Sequence, residues 1–264
     1  MSDLNRPVEW RALLKGIDTV VHLAGITHAG PEIAEQAYAR VNRLATAELA
    51  ETSQRIGIRR LIFASSIRAQ SGPVASRVLD ENDTPQPTDA YGRSKLAAEK
   101  AVRASNVPFT ILRPVLIYGQ GVKGNLAKLA RLARTPWPLP FGGFSNRRSL
   151  LARQNLIDAI HFSLRTPATM GETYVVADAE PVSLAEIIAA LRAGEGRSPL
   201  LLPIPTAPIA AALKMLGQAD IWERLGGELV VNPEKFLRAG WRPPLRSLEG
   251  LSGETYDVMS KNQG

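Results

Sequence analysis

Tyr91 and Lys95 stand four residues apart in the run YGRSK. At the start of a helix, that spacing sets a phenol and an ammonium on one face. A nearby ammonium favours the phenolate, drawing the tyrosine pKa down from about 10 toward working pH and making it a usable proton acceptor. Taken alone the pair reads more readily as a solvated helix face. The reading changes because RRLIFASS, upstream, ends in Ser65-Ser66. The C-terminal ends of strands are where open α/β sheets gather ligands and catalytic groups. A serine placed there can hydrogen-bond both the phenol and a substrate hydroxyl; without Tyr91 and Lys95 one loop later, Ser66 would read as an ordinary loop or capping residue.

The elements that must position these groups are legible in the alternation around them. Residues 18–25 (DTVVHLAG), 59–66 (RRLIFASS) and 108–114 (PFTILRP) are short β-branched apolar runs, each ending in small or polar residues, as buried parallel strands do. Helical patterns long enough for right-handed crossovers lie between them, so the fold class is α/β with an open parallel sheet. The first connection, residues 31–56, starts at Pro31, stops at Gly57 and reads as one long helix or two abutting ones. The second runs from 91 to about 104, after a Pro- and Asp-rich loop at 80–89. A short helix over 6–15, with Pro7 near its start and Gly16 as its stop, precedes the first strand. Beyond Tyr118 the pattern gives helices near 125–133, 155–164 and 183–193, a strand at 173–177 and an irregular Pro-rich tail. The apolar stretch 199–217 reads as a packed cap segment or as a membrane-surface contact.

Composition narrows the partners. A chain of 264 residues, 45% apolar, suits one large α/β domain or a domain with a small cap. Its net charge of +7 is scattered, with no Lys/Arg-rich tail or aromatic-interleaved basic stripe, which argues against nucleic acid and for an anionic metabolite. The absence of cysteine excludes disulfides, thiolate metal sites and cysteine nucleophiles and fits a cytoplasmic protein. His22, His28 and His161 are too widely spaced for a ligand pattern, so no metal is expected. No apolar run reaches the roughly 18 residues of a transmembrane segment, and the N-terminus has no signal-peptide architecture.

Taken in order, Asp3-Leu4, VVHLAG (20–25), VNRLAT with Asn42, FASS (63–66), YGRSK (91–95) and LRPVLIYGQG (112–121) resemble the extended short-chain dehydrogenase/reductase family. The match is to its NAD-dependent epimerase/dehydratase branch, like the UDP-glucose and UDP-N-acetylglucosamine 4-epimerases, and it covers nearly the whole chain. The resemblance implies a Rossmann-like doubly wound parallel sheet lacking its first βαβ unit. Residues 1–120 would form a partial NAD-binding domain. Residues 121–264 would be mainly a substrate-binding subdomain, with some segments returning to the core. It implies Tyr91 as proton acceptor, Lys95 as its modulator and a ligand of the nicotinamide ribose, and Ser66 as hydrogen-bond partner. Asp3 and Leu4 would lie beside the adenine, and Leu23, Ala24 and Gly25 where the chain passes the cofactor's ribose and phosphates. Asn42 would support the active site on the cofactor side. Asn125 and Arg148 would meet the substrate diphosphate, a task suited to a guanidinium. The implied cofactor is NAD, the partner a nucleotide sugar, and the assembly a homodimer through the helices of 31–56 and 91–104.

Two departures stand out. Ala152-Arg153-Gln154-Asn155 replaces the family's Tyr-Val-Asp-Asp-like run, which alters the expected contacts of the substrate domain. The family's glycine-rich loop and first strands, on the order of fifty residues, have no counterpart, leaving 18–25 as an exposed sheet edge. GQGVKG (119–124) has similar glycine spacing but follows the strand end that holds Pro114. The expected reaction is 4-epimerisation of a UDP-hexose or UDP-N-acetylhexosamine. Ile67-Arg68 after Ser66, where 4,6-dehydratases carry an acidic pair, favours epimerase over dehydratase or reductase. VKGNLAKLARLA and FGGFSNRRSLL resemble a branch associated with surface polysaccharides, some of whose members act on polyprenyl-diphosphate sugars. The alternatives are therefore a lipid-linked substrate, or an inactive truncated member unable to hold NAD.

Overall fold

The computed structural model describes residues 3–27, 33–122 and 124–253. Its centre is a four-stranded parallel sheet in the order β1 (Thr19–His22), β2 (Arg60–Ala64), β3 (Phe109–Pro114) and a later strand, Glu172–Val176. Val20 sits opposite Leu61, Leu61 opposite Phe109 and Ile111 opposite Thr173, so the pleat stays in phase across the sheet. Alternate side chains therefore feed two cores. Leu61, Phe63 and Ile111 pack with Ala50, Ala98 and Val102 from the crossover helices. Ile62, Leu112 and Val175 pack on the other side with Ala159, Phe236 and Trp241. Helices on both faces make this the open parallel α/β sheet that the strand pattern gave, and the doubly wound, Rossmann-like one that the resemblance implied.

The short helix before β1 is α1 (Trp10–Leu13), shorter than the expected 6–15 and starting after Pro7. Gly16, at φ +75°, turns the chain out of it as expected of the stop residue. The long connection begins with α2 (Glu35–Tyr38), passes through a π-helical run (Ala39–Leu44) and continues as α3 (Ala45–Arg55). Its expected first residue, Pro31, and His28 lie outside the described residues. After β2 come a 3₁₀ turn (Ile67–Ala69) and α4 (Ala90–Ala104), the second crossover. Among the described residues β1 is an edge strand, with Val21 39% and Leu23 56% exposed, as expected for 18–25.

Beyond β3 the chain builds a second layer from β4 (Leu116–Tyr118), α5 (Gly124–Ala133), β5 (Arg147–Arg148), β6 (Leu150–Ala152) and α6 (Arg153–Arg165). β7 (Glu172–Val176) returns to the main sheet, and β8 (Val182–Ser183) leads into α7 (Leu184–Gly194). Ser183 and Glu186 close a capping box at the start of α7. β4 pairs with β6 in parallel, and β5 with β8 antiparallel. Of the glycines of GQGVKG, Gly119 and Gly121 lie in the turn after β4 and Gly124 opens α5, outside the main sheet.

The tail is helical rather than irregular: α8 (Thr206–Met215), α9 (Ala219–Gly226), α10 (Glu234–Arg238) and α11 (Ser247–Gly253). Its prolines lie before or in the first turn of helices, where a missing N–H costs nothing. Ile209, Trp222 and Leu225 lean on the cap core of Phe144, Leu184 and Ile188. Stretch 199–217 is thus only partly a packed cap: α8 buries no residue fully, and Met215 and Leu216 are 88% and 70% exposed. No helix among the described residues is long and apolar enough to cross a membrane.

Candidate active site

The C-terminal ends of β1 and β2 meet the N-terminal turn of α4. Asp89 caps that helix, its Oδ1 accepting the Gly92 N–H at 2.7 Å. This fixes Tyr91 in the first turn and Lys95 one turn further on the same face. Lys95 is 5% exposed, its Nζ donates to the Ala64 carbonyl at 2.6 Å, and it lies 4.6 Å from the centre of the Phe63 ring. Burial lowers its pKa to about 8, against the pull of Glu99. The Ser66 side chain hydrogen-bonds Tyr91, which couples the end of β2 to the phenol.

One expectation from the spacing is corrected. Burial pushes the Tyr91 phenol above its ordinary value; Ser66 and Arg68 pull it down, while Asp89 and Tyr38 push it up. Desolvation of the phenolate outweighs the neighbouring charges. The Lys95 ammonium is engaged by a backbone carbonyl, so four-residue spacing by itself did not set the phenol's ionisation.

Asn42 ties the surrounding elements together. Its Oδ1 accepts the Ile26 N–H at 2.8 Å, and its Nδ2 donates to the Ile26 carbonyl at 2.9 Å and to Ser94 Oγ at 3.0 Å. Ser94 donates in turn to the Tyr91 carbonyl at 2.7 Å. The π-helical run directs Asn42 into this junction, a use of π geometry common near functional sites. A β-carbon on Gly25 would meet Asn42 Oδ1 at 2.8 Å and Lys95 Nζ at 3.9 Å. Gly25 is exposed and leaves Asn42 room to pack against the backbone, with the Lys95 ammonium close by. Leu23 is exposed and Ala24 half-buried on the same loop.

Beneath the site lies a charged network. Ser65 Oγ donates to Glu99 at 2.5 Å, and Arg113 holds that carboxylate through two N–H groups at 2.9 and 2.7 Å. His22 is 5% exposed, hydrogen-bonds Thr46 at 2.9 Å and stacks on Phe63. Burial, with the Lys95 charge, lowers its pKa to about 4, so it is a neutral core residue. Among the described residues no cluster of His, Asp and Glu could hold a metal.

The remaining assigned residues are more dispersed. Arg148 is half-buried on β5, donating weakly to the carbonyls of Pro73 and Glu223, both at 3.4 Å. Its buried Nε has no protein partner, and burial and then Arg68 lower its pKa. Asn125 is exposed in the first turn of α5. Asp3 is exposed with its carboxylate turned onto Asn5, and Leu4 beside it is half-buried. The structure joins Ser66, Tyr91, Lys95, Asn42 and Gly25, while Asp3 and Asn125 stand outside that network. Sequence reasoning missed Asp89, Glu99 and Arg68 as supports. The first two carried signals: a cap residue three before Gly92, and a carboxylate four after Lys95.

Residues 1–177 match the family described as NAD dependent epimerase/dehydratase. The UDP-glucose 4-epimerase of Vibrio cholerae is 34% identical over 272 residues, spanning 99% of this chain and 83% of that relative. An N-acetyl-alpha-D-glucosaminyl-diphospho-ditrans,octacis-undecaprenol 4-epimerase of Escherichia coli O157:H7 is 28% identical over 223 residues, 81% of this chain and 65% of the relative. The UDP-glucuronic acid 4-epimerase of Bacillus cereus, solved with NAD, superposes with a TM-score of 0.74 at 22% identity, covering 96% of this chain and 78% of that one.

Proposed function

The chain belongs to the NAD dependent epimerase/dehydratase family, and from this premise we propose that it is a 4-epimerase of a UDP-hexose or UDP-N-acetylhexosamine serving surface polysaccharide. The observation that carries the reading is the Ser66–Tyr91 hydrogen bond beside the buried Lys95 and the close approach of Asn42 to Gly25. Tyr91 takes the proton of the sugar's C4 hydroxyl, and Ser66 holds that hydroxyl and the phenol in line. NAD, when bound, supplies the hydride acceptor for C4 and then its donor. Tyr91 returns the proton after the 4-keto sugar has presented its other face. Lys95 and Gly25 would hold the nicotinamide-ribose end, with Asn42 fixing the loop at Ile26; Asp3, Leu4, Leu23 and Ala24 would line the rest of the cofactor. Arg148, with a spare buried N–H, pairs the substrate diphosphate, and Asn125 assists it. A homodimer through α3 and α4 belongs to the same reading.

A second reading, a polyprenyl-diphosphate sugar as substrate, is favoured by the exposed apolar α8 and by the undecaprenol-linked relative. One assay separates the two: the chain with NAD is offered UDP-glucose, UDP-N-acetylglucosamine and a polyprenyl-diphospho-N-acetylglucosamine, and C4 epimers are resolved chromatographically. Interconversion of a UDP-sugar, reduced about 10²-fold or more by Tyr91→Phe, is the expected result. Turnover of the lipid-linked sugar alone selects the second reading. An undiminished rate in Tyr91→Phe removes Tyr91 from its role.

A further inference from the structure

The 3₁₀ turn that follows Ser66 is capped by that serine and fastened to the start of α4 at two points. The Arg68 N–H donates to Ser66 Oγ at 3.2 Å. The Arg68 carbonyl packs against Gly92 so closely that a β-carbon there would collide with it. The Arg68 guanidinium forms an ion pair with Asp89, the two side chains being only 18% and 25% exposed. Asp89 is also the helix cap, two residues before Tyr91. A cap needs only a side-chain oxygen, which asparagine supplies equally well, so capping does not account for a charge at this position.

The charges bear on Tyr91 with opposite signs: Asp89 disfavours the phenolate and Arg68 favours it. Around the same phenol stand Ser66 at the end of β2 and the Tyr38 ring of α2, with centroids 6.1 Å apart. On α4 itself, Lys95 is turned to the Ala64 carbonyl, and Arg93 pairs with Glu35 of α2 at 3.0 Å. Arg148 approaches from β5, where Arg68 affects its ionisation.

We propose that the Arg68–Asp89 ion pair is a positioning device for Tyr91, pinning the turn that carries Ser66 to the helix that carries Tyr91 and holding two opposite charges beside the phenol. The inference rests on Tyr91 as the proton acceptor. Removing one charge moves the phenol in a known direction, and removing both cancels most of that displacement. Arg68→Gln leaves Asp89 unopposed and moves the acid limb of the kcat profile to higher pH. Asp89→Asn keeps the cap, leaves Arg68 unopposed and moves that limb to lower pH. Displacements of about one pH unit are expected for a neighbouring charge in a half-buried site. Arg68→Lys keeps the wild-type profile, and the double variant Arg68→Gln/Asp89→Asn keeps the pH position of its acid limb while kcat falls with the loss of the pin.

The same order is read without turnover from the pH titration of ¹³Cζ-labelled tyrosine, with the Tyr91 signal identified by its loss in Tyr91→Phe. Single variants that move the titration in one common direction, or not at all, overturn the proposal, as does a double variant displaced further than either single one. A kcat loss with no displacement marks the pair as structural only. Retained activity in Tyr91→Phe defeats the proton-acceptor reading separately, since the tyrosine titration still reports whether the pair controls the phenol.

Discussion

Lys95 and His22 are two basic side chains buried against the same Phe63 ring, and neither ionises there as it does in water. His22 has a folded pKa of about 4 against an ordinary 6.5, so the unfolded chain binds more protons between those values. Stability therefore rises with pH through that window and falls as pH drops from about 6.5 to 4. The whole window is worth on the order of 3 kcal/mol. Urea unfolding of wild type and His22→Gln at pH 4.5 and 7 tests this: the variant is expected to lose most of the difference between the two pH values. At this scale the sequence singled out Tyr91, Lys95 and Ser66, which the fold brings together. It could not give the direction of the phenol's shift, because burial is a property of everything packed around the ring.

Among the elements, α4 depends on contact with the 3₁₀ turn before it. Gly92 reads in sequence as an incidental residue between Tyr91 and Arg93, yet the Arg68 carbonyl leaves it no room for a side chain. Gly92→Ala is expected to destabilise the fold by about 1–3 kcal/mol, the range for overpacking, despite alanine's better helix propensity. A lowered urea midpoint with unchanged slope checks it, and a stabilised variant would contradict the close packing. The crossover helices themselves were legible because a parallel sheet forces them to exist and their apolar faces repeat at helical period. The π-helical run was not: residues 39–44 carry an ordinary helical pattern, and their extra width is imposed by where Asn42 must reach.

Across the whole molecule, the tail is tied to the centre by a residue that looked like a departure from the family pattern. Asn155 is fully buried, donating to Asp178 at 2.6 Å and to the Leu245 carbonyl at 2.8 Å, and accepting the Leu245 N–H at 3.0 Å. Ser247 and the Ala152 N–H complete the ring around Asp178. Asn155→Ala leaves several buried polar groups unpaired, at about 1–3 kcal/mol each, and is expected to lower thermal stability strongly while Tyr91 keeps its environment. Calorimetry against Asn125→Ala, an exposed control, measures the difference. The sequence by itself determined the α/β class, the strand order along the chain and the residues able to move a proton, because strand periodicity, helix stops and functional-group chemistry are local. Only the tertiary structure decided that Arg68 faces Asp89, that Asn42 packs against Gly25, and that Asn155 is a joint. Those facts depend on which distant backbones approach one another, and burial and charge balance exist only once they have.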